Sequence, residues 1–442
     1  MFTFQQLQSG LITPESLGPQ KRFKLAQGLT EFPRELFDLA EYIEVLDLGG
    51  NQLSDLPNDF HRFKNLKILF LTDNIFEHVP KVLAQCTKLE MIAFKSNKVK
   101  TLEEGCLPLS TNWLILTNNQ IETLPSSIGQ LTKLRKLALA GNHLTSLPES
   151  MANCKELELV RLSANQLTII PNWLLDLPKL AWLGFSGNPV CDTKNVIDVS
   201  IPQVSLNSIR LNHQIGEGAS GIIYHADWVS SKIHGEQSIA VKVFKGEVTS
   251  DGYPRDEIEC CLKTGEHPNL IRVLSHVKDS DQLGLVMELI SSDYKNLGLP
   301  PSLKSCTRDT FEPDTVLTSS DVLKITHQMA DILLHMHQQG VSHGDIYAHN
   351  TMHDAENNIL FGDFGAATNL EGLCVEQRTK MQLIEVRGFG CFMDDLLTLV
   401  EKKDTLSGVL TNISRCAMDE MLEKRLGFTY LVNELNTLKS MT

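Results

Sequence analysis

Residues 134–142 read Leu-Arg-Lys-Leu-Ala-Leu-Ala-Gly-Asn, and this short stretch decides the fold of the first half of the chain. Leucines stand at its first, fourth and sixth positions, and an asparagine closes it. The same pattern returns before and after it, with the closing asparagine every 22 or 23 residues. The closing asparagines are Asn51, Asn74, Asn97, Asn119, Asn142, Asn165 and Asn188. Such a regular period predicts a solenoid of stacked coils.

The pattern has a simple physical explanation. Alternate side chains of a short strand point to the same side, so the leucines of successive coils would stack into one continuous core. The chain must turn after each strand, and a buried asparagine amide can satisfy the backbone groups that the turn leaves unpaired. A hydrophobic residue and a proline follow most of the asparagines, as at Leu147-Pro148.

On this pattern, residues 20 to 190 resemble the leucine-rich-repeat family, whose fold is an α/β solenoid. The weaker copy around Phe23 and Leu25 predicts a degenerate first repeat that caps the open end. We place the cap and this repeat at 1–40 and the remaining solenoid at 41–195. The resemblance implies a concave face lined by the strands. Its central exposed positions are predicted to be Asp47, Phe70, Ala93, Ile115, Ala138, Arg161 and Gly184.

The predicted concave face carries few charges and is partly apolar. This composition fits a protein substrate or regulator as partner, or an intramolecular contact between the repeats and the rest of the chain. It fits equally well an ordinary surface with scattered apolar residues. The sequence therefore leaves the partner of the concave face open.

A different set of signals begins at about residue 209, after a linker that we place at 196–208. Residues 216–221 read Gly-Glu-Gly-Ala-Ser-Gly between two strand-like segments. This glycine-rich loop alone is a weak signal, because it also marks dinucleotide-binding folds, where it opens a helix. Residues 240–243, Ala-Val-Lys-Val, follow in another apolar strand and place a lysine among apolar neighbours.

Two further motifs complete the set. Residues 343–350 read His-Gly-Asp-Ile-Tyr-Ala-His-Asn, and residues 363–365 read Asp-Phe-Gly. Four motifs in this order and at these spacings resemble the protein-kinase family across residues 209–442. The resemblance implies an α+β bilobal domain that uses ATP and Mg²⁺, with a trimmed C-lobe. Its parts are the N-lobe 209–287, the hinge 288–291 and the C-lobe 292–442.

The resemblance implies roles for the residues at matching positions. Gly216, Gly218 and Gly221 would let the backbone approach the phosphates of ATP. Lys242 would neutralise the α- and β-phosphates, paired with a carboxylate from the following helix. Glu257 and Glu259 are the two candidates and lie on different faces of that helix, and we favour Glu257. The alternative is a helix with a solvated acidic start.

The resemblance places the chemistry at two aspartates and an asparagine. Asp345 would orient the acceptor hydroxyl or accept its proton, and Asn350 and Asp363 would hold Mg²⁺. Taken singly, either aspartate could simply cap a turn. Met287 could equally be plain core packing. The other ATP-binding residues that the resemblance implies are Ile223, Ala240, Met287, Glu288, Ile290 and Met352.

The sequence departs from the kinase pattern in and after the catalytic loop. Gly344 replaces the arginine that pairs with a phosphorylated activation loop, so we expect no control of that kind. Tyr347 and His349 stand where kinases carry a phosphate-binding lysine or arginine, which predicts a lower rate or an unusual acceptor. Only twenty residues separate Gly365 from Glu385, which replaces the usual aspartate. No Ala-Pro-Glu motif lies between them, so we expect a reduced platform for a peptide substrate.

Arg425 resembles the C-lobe arginine whose glutamate partner belongs to the missing Ala-Pro-Glu motif.

Three classes of function follow from these features. The leading one is a protein kinase, of serine/threonine type, whose repeats recruit the substrate or regulate the enzyme. The second is a small-molecule phosphotransferase, because His-Gly-Asp followed by asparagine also resembles aminoglycoside- and choline-kinase-like enzymes. The third is a pseudokinase scaffold that binds ATP without efficient transfer.

Composition excludes some other classes. The net charge of −14 speaks against nucleic-acid binding and against a polybasic membrane anchor. The ten cysteines are scattered without zinc-site spacing, which predicts reduced thiols. The first residues lack a basic region followed by an apolar core, so we expect no signal peptide. No apolar run approaches the ~18 residues of a membrane-spanning helix. We therefore expect a cytoplasmic protein.

Overall fold

The computed structural model describes residues 2–192, 202–218, 220–229, 237–246, 248–249, 251–279 and 282–441. Residues 196–201 of the predicted linker and Ala219 of the glycine-rich loop lie outside the described residues. The chain divides into two compact units. The first comprises Met1–Arg161 and Asn165–Leu177, and the second Leu162–Ala164 and Pro178–Thr442. This division falls before the predicted boundary at 195, which stays a prediction.

The first unit is a solenoid whose three-residue strands pair in parallel and in register. Its strands β1 to β7 are Arg22–Lys24, Val45–Asp47, Ile68–Phe70, Met91–Ala93, Trp113–Ile115, Lys136–Ala138 and Leu159–Arg161. Its α-helices are α1, Phe4–Gln8, and α2, Asn172–Leu175. Short 3₁₀ helices complete the coils at Pro14–Leu17, Arg34–Leu39, Phe60–Arg62, Lys81–Gln85, Ser126–Gln130 and Glu149–Asn153. The central leucines are fully buried, as Leu46 and Leu69 show.

The repeated asparagines hold successive coils together. The Asn51 amide donates to the carbonyl oxygens of Leu48, 2.9 Å away in its own coil, and of Leu25, 2.8 Å away in the coil before. Its Oδ1 accepts the N–H groups of Gln27 and Leu29, each at 3.0 Å. The side chain is almost completely buried. It therefore satisfies the polar backbone groups of the turns, as the sequence predicts.

The prediction that the central strand positions are exposed is wrong for several of them. Asp47 is shielded because it forms ion pairs with Arg22, at 2.8 Å, and Lys24, at 3.4 Å. The small Ala93 lies in register between two larger residues, which shield it. The buried members of the predicted row are Asp47, Ala93, Ala138, Arg161 and Gly184.

The second unit begins with one more repeat strand, β8, and continues into a mixed sheet. Strands β8 to β14 are Trp182–Gly184, Gln203–Val204, Ile209–Glu217, Gly221–Trp228, Gln237–Phe244, Val273–Asp279 and Gln282–Glu288. The order in the mixed sheet is β10-β11-β12-β14-β13-β9, with β9 parallel to β13 and the other neighbours antiparallel. Helix α3 spans Pro254–Thr264.

The rest of the second unit is mainly helical. Helices α4 to α7 are Ser319–Gln338, Val375–Leu397, Thr405–Ala417 and Phe428–Met441. Strands β15 to β19 are Lys295–Asn296, Val341–Ser342, Thr351–His353, Ile359–Phe361 and Thr368–Asn369. The 3₁₀ helices of the unit are Pro189–Cys191, Leu206–Ser208, Ala348–Asn350, Phe364–Ala366 and Leu422–Lys424. A capping box formed by Thr318 and Asp321 starts α4, whose apolar face joins α5 and α7 in one core. Within the part of the chain that the structure describes, no helix combines the length and apolarity needed to cross a bilayer.

Candidate active site

Lys242 lies in β12, and its side chain is only 9% exposed. Its ammonium group forms an ion pair with the carboxylate of Glu257 on α3 and lies 3.4 Å from Oδ1 of Asp363. Glu259, two residues further along α3, is exposed. The structure therefore places Glu257, and not Glu259, beside the lysine.

Charge stabilises this buried group of residues. Burial alone would lower the pKa of Lys242, but the carboxylates of Asp363 and Glu257 raise it above its ordinary value. Burial raises the pKa of Glu257 to about 7, against the opposing effect of Lys242. Lys242 therefore stays an ammonium group at neutral pH, and its charge opposes the protonation of Glu257 that burial favours.

Asp363 has a backbone conformation that is uncommon for a residue with a side chain. Its φ of 61° and ψ of 78° lie in the left-handed region, which a non-glycine residue rarely adopts. The next residue, Phe364, is buried, whereas the Asp363 side chain is half exposed. Desolvation opposes ionisation of Asp363, but Lys242 holds its pKa below the ordinary value. This conformation presents an ionised carboxylate beside the lysine.

The catalytic loop holds Asp345 and Asn350 together. The Asn350 amide donates to Oδ2 of Asp345 at 2.8 Å and to its backbone oxygen at 3.1 Å. The imidazole of His343 is completely buried, accepts the Asp345 N–H at 3.3 Å and donates to the Gly362 carbonyl at 3.1 Å. Burial lowers the pKa of His343, which fits a neutral ring with its proton on Nε2. His343 thus ties the loop to the segment that carries Asp363.

Gly344 occupies a position that accepts no side chain. Its φ is +73°, and a β-carbon would lie 2.7 Å from the Ala366 carbonyl oxygen and 2.9 Å from that of Leu183. Its N–H donates to Glu385 at 2.7 Å, and the other oxygen of this buried carboxylate lies 2.6 Å from Nε2 of His337. Glu385 thus fixes the backbone of the catalytic loop from α5.

His349 has a partner that sequence reasoning missed. Its Nδ1 lies 2.6 Å from Oδ1 of Asp309, and Oδ2 of the same carboxylate accepts the N–H of Ala348. Burial would lower the pKa of His349, but Asp309 raises it above the ordinary value. Asp309 belongs to no recognisable motif, so nothing in the sequence marked it.

Several of the residues predicted to contact the nucleotide lie on neighbouring strands of the mixed sheet. Ile223 is in register with Lys242, and Ala240 with Met287. The Glu288 N–H donates to a backbone oxygen of the segment before β13, at 3.0 Å. The remaining predicted positions are Gly216 in β10, Gly218 just after it, Gly221 at the start of β11, Ile290 after β14 and Met352 in β17.

The side chains of Lys242, Asp363 and Asn350 fit Mg²⁺ and a nucleoside triphosphate. Asp363 and Asn350 offer oxygen ligands, which Mg²⁺ prefers, and the Lys242 ammonium matches an anionic phosphate. In the described ranges, no group of three or more His, Cys, Asp and Glu side chains could hold a metal by itself. An ion at Asp363 and Asn350 would therefore take its remaining ligands from water or from phosphate oxygens.

Trp182 is a second contributor to the site that the sequence did not reveal. It belongs to the last repeat coil, residues 178–191, which we call the last coil. Its indole Nε1 donates to the Ile346 carbonyl at 3.1 Å, and its ring stacks on Tyr347 with centroids 4.8 Å apart and planes 8° apart. Both rings are almost completely buried. The last coil therefore contacts the catalytic loop directly.

Arg425 also reaches the last coil. Without an Ala-Pro-Glu glutamate, it donates to the carbonyl oxygens of Asp419 at 2.7 Å, Leu383 at 3.1 Å and Pro178 at 2.7 Å. Burial lowers its pKa to about 10, where it is still charged at neutral pH. Backbone oxygens, one of them from the last coil, thus take the place of the missing carboxylate.

Comparison with known proteins agrees with both halves of the structure. Family models for leucine-rich repeats match residues 42–63 and 132–190, and a model described as protein kinase domain matches 209–381. Fibroblast growth factor receptor 1 of Xenopus laevis is 23% identical over 186 residues, covering 40% of this chain and 23% of that protein. Aurora/IPL1-related protein kinase 2 of Caenorhabditis briggsae is 28% identical over 171 residues, covering 37% and 50%. Serine/threonine-protein kinase PITSLRE of Drosophila melanogaster is 28% identical over 169 residues, covering 37% and 16%. The chain thus spans at most half the length of these relatives.

Proposed function

We propose that this chain, which joins leucine-rich repeats to a protein kinase domain, transfers the γ-phosphate of ATP to a protein hydroxyl with Mg²⁺ as cofactor. The proposal rests on one arrangement of five side chains. Lys242 pairs with Glu257 beside Asp363, while Asn350 holds Asp345. Each group has the chemical character that phosphate transfer requires.

In the proposed reaction, Lys242 binds the α- and β-phosphates, and Asp363 and Asn350 hold the metal. Bound Mg²⁺ would neutralise part of the negative charge on the phosphates. Asp345 orients the acceptor hydroxyl and takes its proton. A bond forms between the acceptor oxygen and the γ-phosphorus as the bond to the β,γ-bridging oxygen breaks, and ADP leaves.

For the acceptor we propose serine or threonine. One of the similar proteins is named a serine/threonine-protein kinase, which supports this choice. Phosphoamino-acid analysis of a labelled acceptor tests it, and phosphotyrosine as the main product would contradict it. We further propose that the repeats recruit the substrate or regulate the kinase, since leucine-rich repeats commonly form protein-binding surfaces.

A second candidate function is phosphate transfer to a small molecule. The observation that favours it is the short connection, residues 367–374, between the 3₁₀ helix Phe364–Ala366 and α5. This connection is where a kinase builds its peptide platform. An acceptor panel that contains both generic proteins and small alcohols separates the two functions.

The experiment that tests the proposal is transfer from γ-labelled ATP with Mg²⁺. We expect Asp345→Asn and Lys242→Ala to lower transfer at least about a hundredfold, because each removes a group that acts on the reacting atoms. Glu257→Gln should also lower it, whereas Glu259→Gln on the exposed face of α3 is the matched control and should not. Nucleotide binding without transfer to any acceptor would instead indicate a pseudokinase scaffold.

A further inference from the structure

The last coil contacts several parts of the kinase domain. Besides Trp182 on the catalytic loop, Gly184 lies against Ala366, just after the Asp-Phe-Gly motif, where a β-carbon would come within 2.9 Å of the carbonyl oxygen. The N–H of Phe185 donates to Thr368 at 3.2 Å. Gly187 lies against Tyr253 and Asp256 at the start of α3, and Ala181 against Gly388 of α5.

These contacts coincide with the places where the sequence departs from other kinases. Gly344 fits because the Leu183 carbonyl stands where its side chain would be. Tyr347 supplies the ring on which Trp182 stacks, and Arg425 binds the carbonyl of Pro178. Two substitutions and one retained arginine, which look unrelated along the chain, thus contact one surface. The same surface also contacts the short connection, because the Phe185 N–H donates to Thr368.

We propose that Trp182 is a positioning residue for phosphate transfer, through which the last coil supports the catalytic loop. The inference rests on the proposed function for its kinetic consequence. Trp182 acts through the Ile346 carbonyl and the Tyr347 ring, which belong to the two residues directly after Asp345 in the loop.

The kinetic test uses the full chain with Trp182→Phe and Trp182→Leu. Phenylalanine keeps a ring over Tyr347 but loses the bond to Ile346, so kcat should fall about fivefold, as for one neutral hydrogen bond. Leucine loses both contacts, so kcat should fall about tenfold or more. Binding of a non-hydrolysable ATP analogue, measured by calorimetry, should not change, because Lys242 and the glycine-rich loop lie on other elements. Trp173→Leu, in the preceding coil, is the matched control.

A second measurement separates this inference from the proposed function. Hydrogen exchange over residues 343–351 should become faster in Trp182→Leu and stay unchanged in Trp173→Leu, whether or not the wild type transfers phosphate. Faster exchange together with an inactive wild type would refute the proposed function and leave the positioning role standing. Unchanged exchange and kcat in Trp182→Leu would overturn the positioning role. Parallel loss of analogue binding would also overturn it, since it would indicate a general loss of structure.

Discussion

At the scale of single residues, Gly344 best illustrates how the structure explains an odd sequence. An arginine is the family's residue here, and its replacement looks like a defect when only the motif is considered. The backbone has a φ of +73°, and two carbonyl oxygens occupy the space that a side chain needs. The glycine is therefore required by local geometry, and no arginine could be restored without moving the last coil.

We predict that Gly344→Ala is more destabilising than a matched glycine replacement. Gly265 has the same φ of +73° but no atom within 4 Å of a β-carbon, so Gly265→Ala should cost about 1 kcal/mol from backbone strain alone. Gly344→Ala adds a contact 2.7 Å from a backbone oxygen and should cost roughly 1–3 kcal/mol more. Urea unfolding of the three proteins measures the difference. Equal losses of unfolding free energy in the two variants would mean that the backbone around Gly344 can move at little cost to make room for a methyl group.

At the scale of elements, helix α3 connects the ion pair of the site with the last coil. Glu257 faces Lys242, and the preceding residue, Asp256, is buried near Gly187. Burial raises the pKa of Asp256 from 3.8 to about 6, although Arg255 opposes the shift. A carboxylate that is costly to ionise therefore stands at the contact between α3 and the last coil.

This raised pKa predicts how stability depends on pH. The folded chain keeps the Asp256 proton up to about pH 6, whereas the unfolded chain loses it near pH 4, so the contribution of this residue to stability falls as the pH rises through that window. Asp256→Asn should therefore stabilise the protein at pH 8 by about 2 kcal/mol, more than the ~0.5 kcal/mol lost at the helix N-terminus. Urea unfolding at pH 4 and pH 8 checks this, with Glu401→Gln, at an exposed position far along the chain, as the control. A variant no more stable than wild type at pH 8 would contradict it.

The elements were predictable from the sequence to different degrees. The 23-residue period at Asn142 and the Asp363 motif predicted the solenoid and the kinase domain, because local patterns report the side chains that each coil or loop needs. The partners Trp182 and Asp309 were not predictable, since they meet the catalytic loop only through the tertiary fold. Exposure along β2 to β8 was mispredicted, because a strand pattern does not reveal what covers it.

At the scale of the whole molecule, the kinase domain and the last coil form one compact unit. The predicted linker at 196–208 would separate Trp182 from Tyr347 and Pro178 from Arg425. The compact unit that contains these contacts is thus larger than the kinase match at 209–381.

We predict that a fragment of residues 209–442 is less stable than the same domain in the full chain. It loses an aromatic stack and several hydrogen bonds to the last coil, each worth about 1 kcal/mol. Its denaturant midpoint and its transfer of phosphate should both fall. A variant that lacks only residues 74–96 keeps the last coil and is the matched control. If the fragment were as stable and as active as the full chain, the coil would be dispensable.

The asparagine ladder has a consequence for engineering. Each amide donates hydrogen bonds to its own coil and to the coil before it, as Asn51 does to Leu48 and Leu25. Every interior repeat therefore makes the same hydrogen bonds with the repeats on its two sides. Extra repeats could be spliced into the middle of the array without altering either terminus. The length of the strand face could then be redesigned while the last coil and the kinase domain stay unchanged.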